Sequence, residues 1–162
     1  MRWTTVTSPI GELKLATDGT ALTGLLFAGD PDPRGERDDA HPVLTETARQ
    51  LGEYFDGTRT EFEMPLALAG ADFERRVWTE LLAIPYGHTA TYAEIAARVG
   101  QPRAARAVGM ANSLNPIAVI VPCHRVVGSN GSLTGYAAGT DVKSRLLELE
   151  AGVRMRAEFK AA

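Results

Sequence analysis

IAVIVPCHRV, residues 117–126, is the stretch on which the organisation of this chain depends. Its first five residues form an unbroken apolar run of the kind that is buried in a core, and Pro122 ends that run because proline cannot continue regular hydrogen-bonded structure. Cys123 and His124 follow directly. The sequence therefore predicts a thiol and an imidazole at the edge of a packed core.

Cys123 is the only cysteine among the 162 residues. A lone cysteine is more often buried filler than a reactive group, because free cysteine is among the most buried residue types. A single thiol excludes an internal disulfide and a zinc cage of several cysteines, so we expect no metal site and no cofactor. A free thiol also fits a reducing compartment, and the expected location is cytoplasmic.

The composition is that of an ordinary folded protein, with 44% hydrophobic residues. This length can bury one good core or two small cores in contact. No apolar run approaches the roughly 18 residues that a membrane-spanning helix needs, and the N-terminus lacks a basic and then apolar leader. We therefore expect a protein without a membrane partner.

Charge is distributed unevenly along the chain. Residues 1–70 carry six Lys and Arg against twelve Asp and Glu, a balance of −6, whereas residues 71–162 carry eleven against eight, a balance of +3. Residues 98–145 hold six basic residues and one acidic residue, and Cys123 lies among them. A polyanion would be drawn to this region, although charge alone fits a solvated surface equally well.

The N-terminal part has the pattern of a small α+β domain over residues 1–70. Three short strands joined by turns are expected, at residues 3–7, 12–17 and 22–27. Residues 30–39 lack periodicity and predict an exposed, mobile loop. An amphipathic helix over residues 43–55 and a returning strand over residues 62–68 complete the pattern.

Two short helices in the C-terminal part have the outline of a helix-turn-helix. Thr91 can cap a helix over residues 92–98, and Pro102 can open a second helix that runs to Ser113. Arg106 lies off the inward apolar stripe of this second helix, whose alanines and glycine keep it slender. Nucleic-acid binding and simple packing both remain open for this element.

A last helix is expected over residues 141–150, with Glu150 on its apolar side. A carboxylate that faces a core needs a partner, because its burial without one is costly. The imidazole of His124 is a natural partner. The alternatives are solvent or an arginine such as Arg145 or Arg154.

Several motifs occur in order along the C-terminal part: ARAVG at 105–109, NP at 115–116, PCHRV at 122–126, GY at 135–136 and LLELE at 146–150. Together they closely resemble the O6-alkylguanine-DNA alkyltransferases. The similarity runs from about Phe73 to Gly152, with a weaker match at residues 8–11.

The resemblance implies an α+β fold. A ribonuclease-H-like domain of a β-meander plus a helix, residues 1–70, would pack on a mainly helical domain, residues 71–162, with the helix-turn-helix and the active site. It also implies a monomeric protein that repairs double-stranded DNA by taking the alkyl group of O6-alkylguanine, less often of O4-alkylthymine, onto Cys123. No obligate protein partner is expected, and cooperative assembly on DNA stays open.

Catalytic roles follow for three residues, by the same resemblance. Cys123 is the nucleophile, His124 is its base and Glu150 orients the imidazole. A thiol with a pKa of about 8.5 is only a few per cent thiolate at neutral pH, so it needs such a base. The product is a thioether that water cannot cleave, and each molecule should therefore react once.

Six further positions match residues that contact DNA or substrate in the family: Tyr92, Arg106, Asn115, Val126, Tyr136 and Ala137. Arg106 would fill the space left by the flipped nucleotide, and Tyr92 would contact the target phosphate or base. Asn115 would brace the turn beside the cysteine, and the others would line the base pocket. Ala138 departs from the family pattern, which often has glycine there, and predicts slower reaction with O6-benzyl than with O6-methyl substrates.

Two other classes of function are compatible with the residues. The chain could be a Cys-His hydrolase or transferase for small molecules, in which case it would turn over repeatedly. It could also be a module that binds damaged DNA without transfer, the role of relatives that lack the cysteine. Intact mass after incubation with an O6-methylguanine oligonucleotide separates these classes from alkyl transfer.

Overall fold

A computed structural model describes residues 1–161, which divide into two compact units. The first unit contains residues 1–69 and 116–120, and the second contains residues 70–115 and the chain from Val121 onward. The first is built on a β-sheet and the second on helices, which confirms the predicted α+β class. In the described part of the chain, no helix has the length and apolar character to span a membrane.

The first unit is built on a four-stranded sheet in the order β3-β2-β1-β4. Its strands are β1 (Arg2–Ser8), β2 (Gly11–Thr17), β3 (Leu22–Phe27) and β4 (Glu36–Arg37). The first three strands form an antiparallel meander, and β4 pairs parallel to β1. β2 lies between two neighbours, and its last five residues are buried, so the core of this unit forms against it.

Strand β4 lies within the segment that the sequence predicts to be an aperiodic loop. Glu36 and Arg37 pair with the start of β1, and the Arg37 Nε donates to Asp39 over 2.9 Å. Asp39 also accepts a hydrogen bond from the Thr4 hydroxyl at 2.7 Å. The expectation of a loop without regular structure is therefore wrong at residues 36–37, although these residues are exposed as expected. The sequence could not show this strand because the residues that order the segment are about 35 positions away.

The strand predicted over residues 62–68 is reduced to a single bridge between Leu66 and Leu22. Leu22 donates its N–H to the Pro65 carbonyl and accepts from Ala67, both at 2.9 Å. Pro65 has no N–H to donate, so the pairing does not extend into a longer ladder. This segment follows helix α1 (Pro42–Phe55), which packs on β1 and β2.

The apolar run of residues 117–121 is buried, but it forms turns rather than a strand. Ile117 makes one bridge to Leu25 of the first unit. Val119 has a φ of 70°, which is rare for a β-branched residue and breaks the extended conformation. The chain therefore leaves the first unit in a tight path just before Pro122.

The second unit contains four helices and a pair of two-residue strands. They are α2 (Asp72–Leu82), β5 (Ala90–Thr91), α3 (Tyr92–Arg98), α4 (Ala105–Ser113), β6 (Val126–Val127) and α5 (Thr140–Ala161). Helix α2 packs against α4, and the Trp78 indole donates to the Ala111 carbonyl over 2.8 Å. Trp78 is thus a core residue.

Helices α3 and α4 form the predicted helix-turn-helix outline, with one correction. Thr91 caps α3 by accepting the Glu94 N–H at 3.1 Å. Helix α4 begins at Ala105 and not at Pro102, because the preceding residues form a turn in which Ala104 donates to the Gln101 carbonyl at 2.9 Å. Helix α5 also continues to Ala161, past its predicted end at Glu150.

Candidate active site

Cys123 begins a single 3₁₀ turn that follows Pro122. Its side chain is 5% exposed. Two amides at the end of α4 fix the backbone around it, since Asn112 donates to the Cys123 carbonyl at 3.2 Å and Asn115 donates to the Val121 carbonyl at 2.8 Å. The turn that carries the thiol is therefore held by the side-chain amides of one residue in α4 and one just after it.

The imidazole of His124 contacts the carboxylate of Glu150 on α5. His124 Nε2 and Glu150 Oε2 are 2.8 Å apart, and both side chains are almost completely buried. A carboxylate only accepts hydrogen bonds, so Nε2 carries the proton and the lone pair lies on Nδ1. Among the described residues, Nδ1 has no hydrogen-bond partner, and this nitrogen is the one that can accept a proton.

Glu150 also binds Arg125, a contact that the sequence interpretation missed. Arg125 Nε donates to Oε1 at 2.8 Å and Nη2 donates to Oε2 at 3.1 Å. Its Nη1 donates to the Ile84 carbonyl at 2.7 Å. Arg154, one of the proposed alternatives, instead contacts Glu158 and the Gly87 carbonyl.

Burial and these contacts set the protonation states. Burial alone would raise the pKa of Glu150, but the hydrogen bonds and charges of His124 and Arg125 outweigh it and lower the pKa to about 2. Burial lowers the pKa of His124, although Glu150 opposes the shift. Burial raises the pKa of the Cys123 thiol, against a hydrogen bond from Asn115 and the charge of Lys143. The resting site therefore holds a neutral thiol, a neutral imidazole and a carboxylate.

Lys143 is a second residue that the sequence interpretation missed. Its side chain is 0% exposed, and Nζ donates to the Thr134 carbonyl at 2.9 Å. The Tyr92 hydroxyl donates to the same carbonyl at 3.1 Å, and the ammonium lies 6.0 Å from the Tyr92 ring centroid. Burial lowers the pKa of Lys143, and the charge of Cys123 opposes the shift. The sequence does contain a signal for its burial, because Lys143, Leu146 and Glu150 have helical spacing and Lys143 therefore shares the inward side of the helix.

A cavity of about 610 Å³ brings together four of the predicted contact residues, Tyr92, Arg106, Tyr136 and Ala137. Its remaining lining residues are Ala105, Gly109, Ser113, Thr134 and Gly135. Tyr136 connects this cavity to the reactive groups: its phenol is buried, and burial together with the charges of Cys123 and Glu150 raises its pKa.

Five predicted residues are not part of the cavity lining, among the residues that the structure describes: Cys123, His124, Glu150, Asn115 and Val126. Asn115 nevertheless holds the turn beside the thiol. Val126 is completely buried, and its backbone pairs with Ala90.

Two family models match the chain. The DNA-binding domain of 6-O-methylguanine DNA methyltransferase matches residues 72–152. The ribonuclease-like domain of 6-O-methylguanine DNA methyltransferase matches residues 1–68. The two matches together span nearly the whole chain and separate near residue 70.

Curated relatives agree with the family models. Proteins named methylated-DNA--protein-cysteine methyltransferase are 49% identical over 152 residues in Mycobacterium tuberculosis H37Rv and 47% identical over 158 residues in Methanosarcina barkeri. Each alignment covers 93% of this chain, and it covers 92% of the M. tuberculosis protein and 97% of the M. barkeri protein. The crystal structure of M. tuberculosis OGT in complex with DNA matches with a TM-score of 0.89 at 48% identity, over 94% of both chains.

Proposed function

Because this chain belongs to the 6-O-methylguanine DNA methyltransferase family, we propose that it repairs double-stranded DNA by moving the alkyl group of O6-alkylguanine irreversibly onto Cys123. The observation that carries this proposal is the buried contact of 2.8 Å between His124 and Glu150, directly beside the only thiol of the chain. That contact leaves the Nδ1 lone pair of His124 available as a base.

The reaction transfers one carbon between two atoms. The Cys123 proton passes to His124 Nδ1, directly or through a water molecule, and Glu150 stabilises the imidazolium that forms. The sulfur attacks the alkyl carbon, the S–C bond forms and the C–O6 bond breaks. The electron pair stays with guanine, which takes up a proton, so that the thiol proton is balanced by the N1–H of the repaired base.

Lys143 supplies a second positive charge in this region. Its buried ammonium is electrostatically coupled to Cys123, so it favours the thiolate over the thiol. The coupling matters because burial opposes ionisation of Cys123 and water does not screen the interaction. Lys143 therefore offsets part of the cost of forming the nucleophile.

The substrate residues have the following roles in the proposal. The cavity accepts the flipped base, with Tyr136, Ala137 and the backbone at Val126 in contact with it. Arg106, exposed at the rim of the cavity, fills the space left in the duplex, and Tyr92 contacts the target nucleotide. Asn115 keeps the Cys123 turn rigid, which is supported by its hydrogen bond to Val121.

The domain division and the location belong to the same proposal. Residues 71–162 act as the DNA-binding and active-site domain and residues 1–70 as the ribonuclease-H-like domain, which the separate family matches support. A cytoplasmic location fits a lone thiol that must stay reduced before it reacts.

The test is intact mass after incubation with a duplex that contains one O6-methylguanine. The expected result is a gain of one methylene, about 14 Da, on no more than one equivalent of protein, with no gain in Cys123→Ser. Binding without a mass change would indicate a damage-binding module instead. Release of more than one equivalent of product per chain would indicate a turnover enzyme, and either result would overturn the proposal.

A further inference from the structure

Helix α4 carries a ridge of three exposed side chains, and the predicted roles use only the first of them. Arg106, Met110 and Leu114 are spaced by four residues, so they lie on one outward side of the helix and its C-terminal cap. Met110 is 64% exposed and Leu114 is 52% exposed. Arg106 thus begins a row whose other two members are large and apolar.

This ridge borders the substrate cavity. Ala105, Gly109 and Ser113 lie on the adjoining side of α4 and line the cavity together with Arg106. The opposite side, which includes Val108 and Ala111, is buried in the core. The apolar ridge is therefore continuous with the proposed DNA-contacting surface, and more than half of each of its two apolar residues is exposed.

The chemistry of the ridge selects one part of the duplex. A thioether and an isobutyl group cannot bind phosphate, but they can pack on sugars and wedge between base pairs, as Met and Leu do in many DNA-bending proteins. From Arg106 to Leu114 the helix rises about 12 Å, the height of roughly three to four base pairs at about 3.4 Å each. Arg106 and the neighbouring basic residues supply the attraction to the backbone.

We infer that Met110 and Leu114 form an apolar wedge that packs against the base pairs next to the flipped nucleotide and holds the duplex open around it. This inference rests on the proposed function and deepens it. The wedge contributes binding that is independent of salt, because apolar contacts release no counterions. It also favours duplex over an isolated base, since an isolated base offers nothing to wedge apart.

The test compares Met110→Gln and Leu114→Gln with a matched control, Met155→Gln. Met155 is 62% exposed on α5, so the control makes the same change at a similar exposure. Dissociation constants are measured on an O6-methylguanine duplex in the unreactive Cys123→Ser background, from 50 to 300 mM salt. Alkyl-transfer rates are measured with intact Cys123 on the duplex and on free O6-benzylguanine.

The expected result is binding weakened about tenfold by either ridge variant, with the salt dependence unchanged, and no change in Met155→Gln. The ratio of the duplex rate to the free-base rate should fall by a similar factor. In contrast, Arg106→Ala should reduce the salt slope by about one.

Three results would overturn the inference. The first is that both ridge variants bind the duplex within twofold of the parent. The second is that Met155→Gln loses as much binding affinity as the ridge variants. The third is that a ridge variant changes the association state of the protein without DNA, which would make a second copy of the chain the partner of the ridge. Failure of the proposed function is distinguishable, because it would appear in the unmodified protein as an absence of transfer from the duplex.

Discussion

Replacement of Glu150 by glutamine tests the active-site argument most directly. The carboxylate accepts one hydrogen bond from His124 and two from Arg125, at distances of 2.8, 2.8 and 3.1 Å. The amide keeps the shape but removes the charge and half of the acceptor capacity. Its NH2 group must then face either the His124 N–H or the guanidinium, which are both donors.

The cost in stability follows from the burial of the pair. Removal of one partner from a buried ion pair typically costs about 3–5 kcal/mol, because the remaining charge is left uncompensated. Arg125 is 8% exposed, and in the variant it keeps its bond to the Ile84 carbonyl but loses the opposite charge beside it. A chain of this size loses roughly 2–4 °C of Tm per kcal/mol, so Glu150→Gln should melt about 6–20 °C below the parent.

The cost in rate follows from the tautomer. If the amide donates to Nε2, the proton moves to Nδ1, and the nitrogen that serves as the base is blocked. Loss of the correct tautomer in a comparable triad costs about 10⁴ in rate, and we expect a loss of about 10²- to 10⁴-fold here.

Single-turnover transfer from an O6-methylguanine duplex, followed by intact mass at 15 °C, measures this rate while the variant is still folded. The control is Glu148→Gln on the same helix, where the carboxylate is exposed and bonds only to Ser144 at 3.2 Å. The control should keep its rate within threefold and its Tm within about 1 °C. A folded Glu150→Gln protein with the parental rate would refute the assignment of His124 as the base.

The remaining predictions concern pH, charge and pocket width. The transfer rate should rise with pH and level off, with a midpoint below 6.5. The reason is that burial lowers the pKa of His124 and that only the neutral imidazole accepts the thiol proton. A midpoint above 8 in the pH profile would contradict this. Lys143→Met should raise the Tm, because it removes a buried charge, and it should slow transfer about tenfold, because it removes the cation that favours the thiolate. An unchanged pH dependence of Cys123 alkylation by iodoacetamide would count against this prediction. Ala138→Gly should increase the O6-benzyl rate relative to the O6-methyl rate, and equal ratios in both proteins would show that this methyl group does not limit the pocket.

The sequence predicts the fold best where the signal is local. The three meander strands lie within one residue of their predicted bounds, because turn residues and alternation define them without reference to the rest of the chain. Strand β4 and the bridge at Leu66 depend on partners far away in the sequence, and neither has a local pattern. The start of α4 was misplaced because Pro102 suits a turn as well as the first turn of a helix.

The same distinction applies to the site. Cys123 and His124 are adjacent in the chain, and the helical spacing of Glu150 showed that it faces inward, so their proximity could be predicted. Arg125 and Lys143 were missed because charged residues are usually exposed, and their burial depends on partners that only the folded structure brings together.

The protonation state of the resting site has a consequence for a protein that reacts once. Burial raises the pKa of Cys123 and lowers that of His124, so the pair is neutral before the substrate arrives. A permanent thiolate would react with any small electrophile that reached it, and each such event would consume a whole chain. In the proposed mechanism, His124, Glu150 and Lys143 are preorganised, but the nucleophile forms only as the thiol proton leaves for Nδ1 of His124. Reactivity is therefore coupled to the presence of an alkyl carbon in line with the sulfur.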